Sequence, residues 1–211
     1  MLSLDFRAKS PLSVLCIGAH SDDIEIGLGG TLLKWRTERD LSVHAVVLSA
    51  VGERATEAEA SLRALLGDSL STLDLQTFRE TYFPYLPELK DYVQTLGKGL
   101  SPDLIFTHYR NDRHQDHRMV SDLTWNAFRN QSVLEYEIPK LDGDLGQPNV
   151  FVPLSEKVLT AKLEHLETHF ASQQAKPWYD RETFLGLARL RGVECAGQYA
   201  EAFYGRKLML G

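Results

Sequence analysis

Two short polar clusters in this 211-residue chain hold residue types that bind metals and move protons. The first reads Ala19-His20-Ser21-Asp22-Asp23-Ile24-Glu25, and the second closes on His114-Gln115-Asp116-His117. In a tight turn, His20 and Asp23 at i and i+3 can converge on one point while Asp22 faces another side. That would supply two metal ligands and a separate base. A catalytic zinc commonly keeps three protein ligands and leaves a fourth position open for water, so a third ligand is needed. His114 and His117 offer it at the same i, i+3 spacing, and a helix starting near them would stack both on one face.

Taken singly, each cluster has a plainer reading. A His or Asp at a strand end commonly caps or hydrogen-bonds the backbone, and paired aspartates suit the positive end of a helix. The conjunction favours chemistry: two clusters, each directly after an apolar strand, each carrying His and carboxylate at short spacing. In an open α/β sheet, ligands bind beyond the carboxyl ends of the strands, which is where both clusters fall.

The elements that must position these residues alternate. An apolar run over 14–19 without polar alternation predicts a strand buried on both faces. A helix over 32–39 and a β-branched strand over 43–48 complete a βαβ unit. Thr56 and Glu59 form a candidate capping box for a helix stopping at Gly67. Pro87 precedes a helical stripe of Leu89, Val93, Leu96 and Leu100. A strand over 103–107 leads into the second cluster, and Val120, Leu123, Ala127 and Phe128 mark the helix after it. Strands over 133–138 and 150–152, then helices over 156–170 and 181–190, follow, with 142–147 as a flexible loop. The expected architecture is α/β: a single Rossmann-like layered domain over 1–211, its mostly parallel sheet flanked by helices. Gly27, Gly29 and Gly30 invite comparison with a dinucleotide fingerprint. Their order does not give G-x-G-x-x-G, and the segment is acidic, so close helix packing is the better reading.

Composition narrows the partners. Lys plus Arg number 23 against 29 Asp plus Glu, a net charge of −6, which argues against sequence-independent capture of nucleic acid or anionic lipid. No apolar run approaches the roughly 18 residues of a membrane span, and no signal-peptide pattern opens the chain. A cytoplasmic, reducing setting is expected, with Cys16 and Cys195 neither paired nor ligating. Trp35, Trp125 and Trp178 suit a core, or the interface of a homo-oligomer, a state left open.

At these residues the sequence resembles the LmbE-like and PIG-L-like superfamily of metal-dependent N-acetyl-sugar deacetylases. The family signature Ala-His-Pro-Asp-Asp, then Glu and glycines, corresponds to residues 19–30, and His-x-Asp-His to residues 114–117. Gly52-Glu53, Pro102-Asp103-Leu104-Ile105-Phe106, Arg191-Gly192 and Tyr199-Ala200-Glu201-Ala202-Phe203 extend the similarity. Ser21 and Gln115 stand where the family commonly has proline, and neither change removes a proposed ligand. The resemblance implies that His20, Asp23 and His117 hold a divalent metal, usually Zn2+ and otherwise another transition metal. It implies that Asp22 is the general base and His114 the acid or oxyanion partner, with Asp116 supporting His114 by fixing its tautomer. The implied substrate is a small N-acylated amino sugar, with neither nucleic acid nor membrane involved. Glu53, Arg79 and Arg110 are candidate substrate contacts. The alternatives are a metal- or sugar-binding module without turnover, and a nucleotide-binding α/β protein disfavoured by its glycine order.

Overall fold

In the computed structural model, which describes residues 10–207, the apolar run forms strand β1 (Leu12–His20) at the interior of a seven-stranded sheet. Helix α1 (Asp23–Glu38) follows, then β2 (Leu41–Ser49), α2 (Glu53–Leu66) and β3 (Leu70–Leu75). The chain continues through α3 (Pro87–Gly99), β4 (Leu104–His108), α4 (Gln115–Ala127) and β5 (Ser132–Tyr136). It closes with β6 (Val150–Leu154), α5 (Glu156–His169), α6 (Arg181–Glu194) and β7 (Tyr199–Gly205). The sheet order is β3-β2-β1-β4-β5-β7-β6. The first five strands in that order run parallel, and β7 is antiparallel to both β5 and β6. The expected α/β layered architecture is the observed one.

Both faces of β1 are covered, which is why its sequence shows no alternation. Leu12, Val14 and Cys16 join one apolar cluster with Ile24 and Leu28 of α1, Leu62 of α2, Leu163 of α5 and Phe184 of α6. Leu15, Ile17 and Ala19 point the other way, into a cluster with Leu89 and Val93 of α3 and Val120 of α4. β1 has β2 on one side and β4 on the other, so connections leave it in opposite directions along the sheet. The crevice beyond the carboxyl ends of β1 and β4 is the switch point at which such sheets bind ligands.

Three expectations need correcting. Helix α1 begins at Asp23 rather than Leu32, so the glycines lie inside it. A Cβ on Gly27 would sit 2.3 Å from the Tyr136 ring, and one on Gly30 would sit 2.6 Å from Leu154 Cδ1. Close packing is what these two glycines permit. Thr56 does not cap α2: Gly52 does, at φ +60°, and Thr56 lies within the helix. Strands β3 and β7 were not expected. β3 is a half-exposed edge, and β7 gains its place only by pairing across the chain.

A buried ion pair enters α1 at mid-helix. Glu201 accepts the N–H groups of Gly30 at 2.8 Å and Thr31 at 2.6 Å, while Lys162 Nζ bonds both Glu201 and the Ile26 carbonyl at 2.6 Å. Strand β7 and helix α5 are thereby fastened to the helix that carries Asp23.

Candidate metal centre

His20 ends β1 and Asp23 opens α1, while His114 is the N-cap of α4 and His117 lies in its first turn. These elements meet at the crevice. His20 Nδ1 lies 3.2 Å from His117 Nε2 and 3.5 Å from Asp23 Oδ2, and His117 Nε2 lies 3.5 Å from Asp23 Oδ1. A tetrahedral ion with ligand bonds of about 2.0–2.1 Å requires ligand–ligand edges of about 3.3–3.4 Å, near these three separations, of which the two that reach Asp23 end on different oxygens of its carboxylate. Two imidazoles and a carboxylate are also a donor set that zinc accepts. His114 has a ligating atom near those of His20 and His117, and His108 near those of Asp23 and His117.

Each histidine of the triangle is anchored from behind. His20 Nε2 meets Asp116 Oδ2 at 3.2 Å, and His117 Nδ1 meets Asp112 Oδ2 at 2.9 Å. Bonding the far nitrogen to a carboxylate leaves the inner nitrogen's lone pair for a cation. Burial would lower the His20 pKa, but bonds to Asp116 and Asp23 and the charges of Asp23 and Glu80 push it up to about 10. The site therefore attracts positive charge. Burial and the adjacent His108 carry His117 down to about 3, so its ring is neutral. Burial alone would raise Asp112, yet the hydrogen bond to His117 and the charge of Lys140 hold it well below the ordinary carboxylate range.

Asp22 stands beside the triangle without joining it. It is buried, its Oδ1 lies 2.9 Å from Arg54 Nη2, and desolvation pushes its pKa up against the pull of Arg54. His114 stacks on His117 with ring centroids 4.6 Å apart, and burial followed by the charge on His20 lowers its pKa. A neutral imidazole and a carboxylate thus flank the triangle.

Asp116 is found on a different partner from the one expected. Its carboxylate binds His20 and the backbone N–H groups of Thr81 and Phe83, whereas His114 Nδ1 only accepts the Asp116 backbone N–H at 3.3 Å. Within the first turn of α4, the Asp116 side chain points across to β1, away from the N-cap ring.

The residues open onto a cavity of about 360 Å³. Arg54, Glu80, Lys140, Gln173, Lys176 and Trp178 complete its outer wall. The three expected substrate contacts lie elsewhere. Glu53 is exposed on the first turn of α2, Arg79 stacks on Tyr82 with Cζ 3.7 Å from the ring centroid, and Arg110 donates its backbone N–H to Glu135 at 3.0 Å. Their neighbours Arg54 and Glu80 reach the wall instead. Arg54 was legible as a charged residue just beyond β2, and Asp112 as a carboxylate five residues before His117; neither was singled out, nor was Lys140. Both cysteines are free, and neither belongs to a metal-holding group among the described residues. No helix among the described residues is long and apolar enough to cross a membrane.

Comparison with known proteins adds to this geometry. The profile of the family described as PIG-L: GlcNAc-PI de-N-acetylase matches residues 15–128, more than half of the chain. A diacetylchitobiose deacetylase of Thermococcus kodakarensis is 26% identical over 231 residues, covering 94% of this chain and 86% of its own. The solved N,N'-diacetylchitobiose deacetylase of Pyrococcus horikoshii superposes with a TM-score of 0.73 at 23% identity, covering 92% of this chain and 84% of that one. A 4-carboxy-2-hydroxymuconate hydratase of Pseudomonas putida superposes at 0.69 and 18% identity, covering 94% and 98% respectively. Proteins named for different reactions share this fold, so the reaction must be argued from the site.

Proposed function

The chain belongs to the PIG-L family, and from that premise we propose that it is a zinc-dependent hydrolase removing an acetyl or related acyl group from the amino group of a small amino sugar. The observation that carries this reading is the His20–Asp23–His117 triangle with Asp22 and His114 on its rim. Amide hydrolysis needs an activated water, a stabilised oxyanion and a proton for the departing amine. A bound zinc would supply Lewis acidity, lowering the pKa of water and polarising the carbonyl.

The chain's own residues would supply the rest. Asp22, held by Arg54, would take the proton from the attacking water through its carboxylate. His114, neutral before reaction, would donate a ring hydrogen bond to the oxyanion, and the proton that Asp22 took from water would pass to the leaving nitrogen. The outer wall, with Trp178, Gln173 and Arg54, offers apolar surface and polar groups suited to a sugar. Retention of both Asp22 and His114 supports turnover over a silent binding module.

The test pairs metal analysis with acetate release on N-acetylglucosamine and its conjugates. One zinc per chain and stoichiometric acetate and amine are expected, with zinc lost in His20→Ala and His117→Ala. Zinc binding without acetate release from any N-acetylated sugar would favour the binding module. Undiminished zinc in both variants would overturn the ligand set.

A further inference from the structure

We propose that Lys140 is a positioning residue for the metal centre, acting through Asp112 on His117; the inference rests on the metal reading above. Asp112 is only 2% exposed, and its two oxygens have separate duties. Oδ2 faces His117 Nδ1 at 2.9 Å. Oδ1 accepts the His114 backbone N–H at 2.7 Å and meets Lys140 Nζ at 2.9 Å. With Oδ1 pinned by two donors, the carboxylate has one orientation left. That orientation turns the His117 ring so that Nε2 faces His20 and Asp23.

The charge on Lys140 matters as well as its reach. A buried carboxylate without a cation is costly. An ammonium on the far oxygen offsets that cost and holds the carboxylate where Oδ2 faces His117 Nδ1. The Lys140 side chain is 8% exposed, so its own charge is compensated only by the carboxylates around it.

Lys140 also has a second attachment. Its Nζ lies 2.6 Å from Asp144 Oδ2, an oxygen that accepts the Arg113 backbone N–H at 2.6 Å as well. This side fastens the loop after β5, while the Asp112 side reaches the metal triangle. The two duties are separable by substitution.

The experiment measures zinc affinity by competition with a chromogenic chelator on the full chain, without substrate, so direct contact between Lys140 and a sugar cannot contribute. Loss of a partner behind a metal ligand typically costs about 10- to 100-fold in affinity. Lys140→Met should weaken zinc about 10-fold or more. Lys140→Arg and Asp144→Asn should each stay within about 3-fold of the parent. In an Asp112→Asn background, Lys140→Met should add less than about 3-fold, because its route to His117 is gone. Lys140→Gln carries the same expectation and is read instead if the Met variant does not fold. Parental affinity in Lys140→Met, an equal loss in Asp144→Asn, or an undiminished effect in the Asp112→Asn background would each overturn the proposal. A parent that binds zinc but releases no acetate would remove the deacetylase reading and leave this one open to the same measurements.

Discussion

Asp116 Oδ2 lies 3.2 Å from His20 Nε2, and the same oxygen accepts the Thr81 backbone N–H at 2.6 Å. One carboxylate therefore fixes a metal-ligand candidate and a turn at the cavity rim. Thr81 has φ +67°, with Tyr82 N–H donating to Arg79 O across the turn, a position that favours glycine. A β-branched residue there costs about 1–3 kcal/mol, and bonds from Asp116 and Gln115 hold it in place.

From this pairing, Asp116→Ala should weaken zinc binding by about 10- to 100-fold, the usual cost of losing a carboxylate behind a ligating histidine. His114→Ala should change zinc affinity by less than about 3-fold while depressing turnover. Chelator competition on both variants checks this. Loss of zinc in His114→Ala with parental binding in Asp116→Ala would reverse the assignment.

Asp22→Asn separates proton transfer from metal holding. The amide preserves shape beside Arg54 but cannot take a proton from water. Turnover should fall by at least about 100-fold, chiefly in kcat, with zinc content retained. Near-parental turnover by the zinc-loaded variant would show that another group is the base.

Two glycines of α1 should respond oppositely to the same substitution. Gly27→Ala places a Cβ 2.3 Å from a Tyr136 ring whose hydroxyl is committed to Ile17 O at 2.7 Å, so the ring cannot easily yield. A loss of about 2 kcal/mol or more is expected. Gly29→Ala meets nothing nearer than 3.7 Å and should be neutral or stabilising by up to about 1 kcal/mol, through helix propensity. Urea melts of the two variants read the contrast directly.

The acid limb of stability should contain a contribution from His165. Burial, then the charges of His169 and Arg36, lower its pKa from 6.5 to about 4 in the folded chain. Between these values the unfolded state binds more protons, so this stabilisation is complete above about pH 6.5 and is lost as pH falls toward 4. Partial exposure screens the effect to about 1–2 kcal/mol. Stability curves for the parent and His165→Gln should diverge below pH 6.5; parallel curves would remove His165 from the account.

The sequence showed the fold best where burial leaves a plain pattern, on one face of a helix or on both faces of a strand. The stripe of Leu89 and Val93 yielded α3, and the unbroken apolar run yielded β1. It failed at the start of α1, where every residue from Asp23 to Leu32 is buried and no periodicity survives, so the glycines read as a loop. Within the site, His20, Asp22, Asp23, His114 and His117 were legible because strand ends and i, i+3 spacing are local. The partner of Asp116 was not, because His20 and Asp116 lie far apart in the chain and meet only once α4 packs on β1. Lys140 was hidden for the same reason, and Arg54 shows only its place just beyond β2: each is an ordinary surface type until the fold brings it against a buried carboxylate.

The sheet order also constrains how the chain can be assembled during synthesis. Strand β6 pairs only with β7 among the described strands, yet α5 and α6 are made between them. Until Tyr199–Gly205 leaves the ribosome, β6 has no neighbour in the sheet to bind. Glu201, which the mid-helix N–H groups of Gly30 and Thr31 require, is also absent. The helix that presents Asp23 is thus translated early and completed late. A nascent chain stopped short of β7 would contain every candidate ligand in order, yet lack the strand that secures their helix.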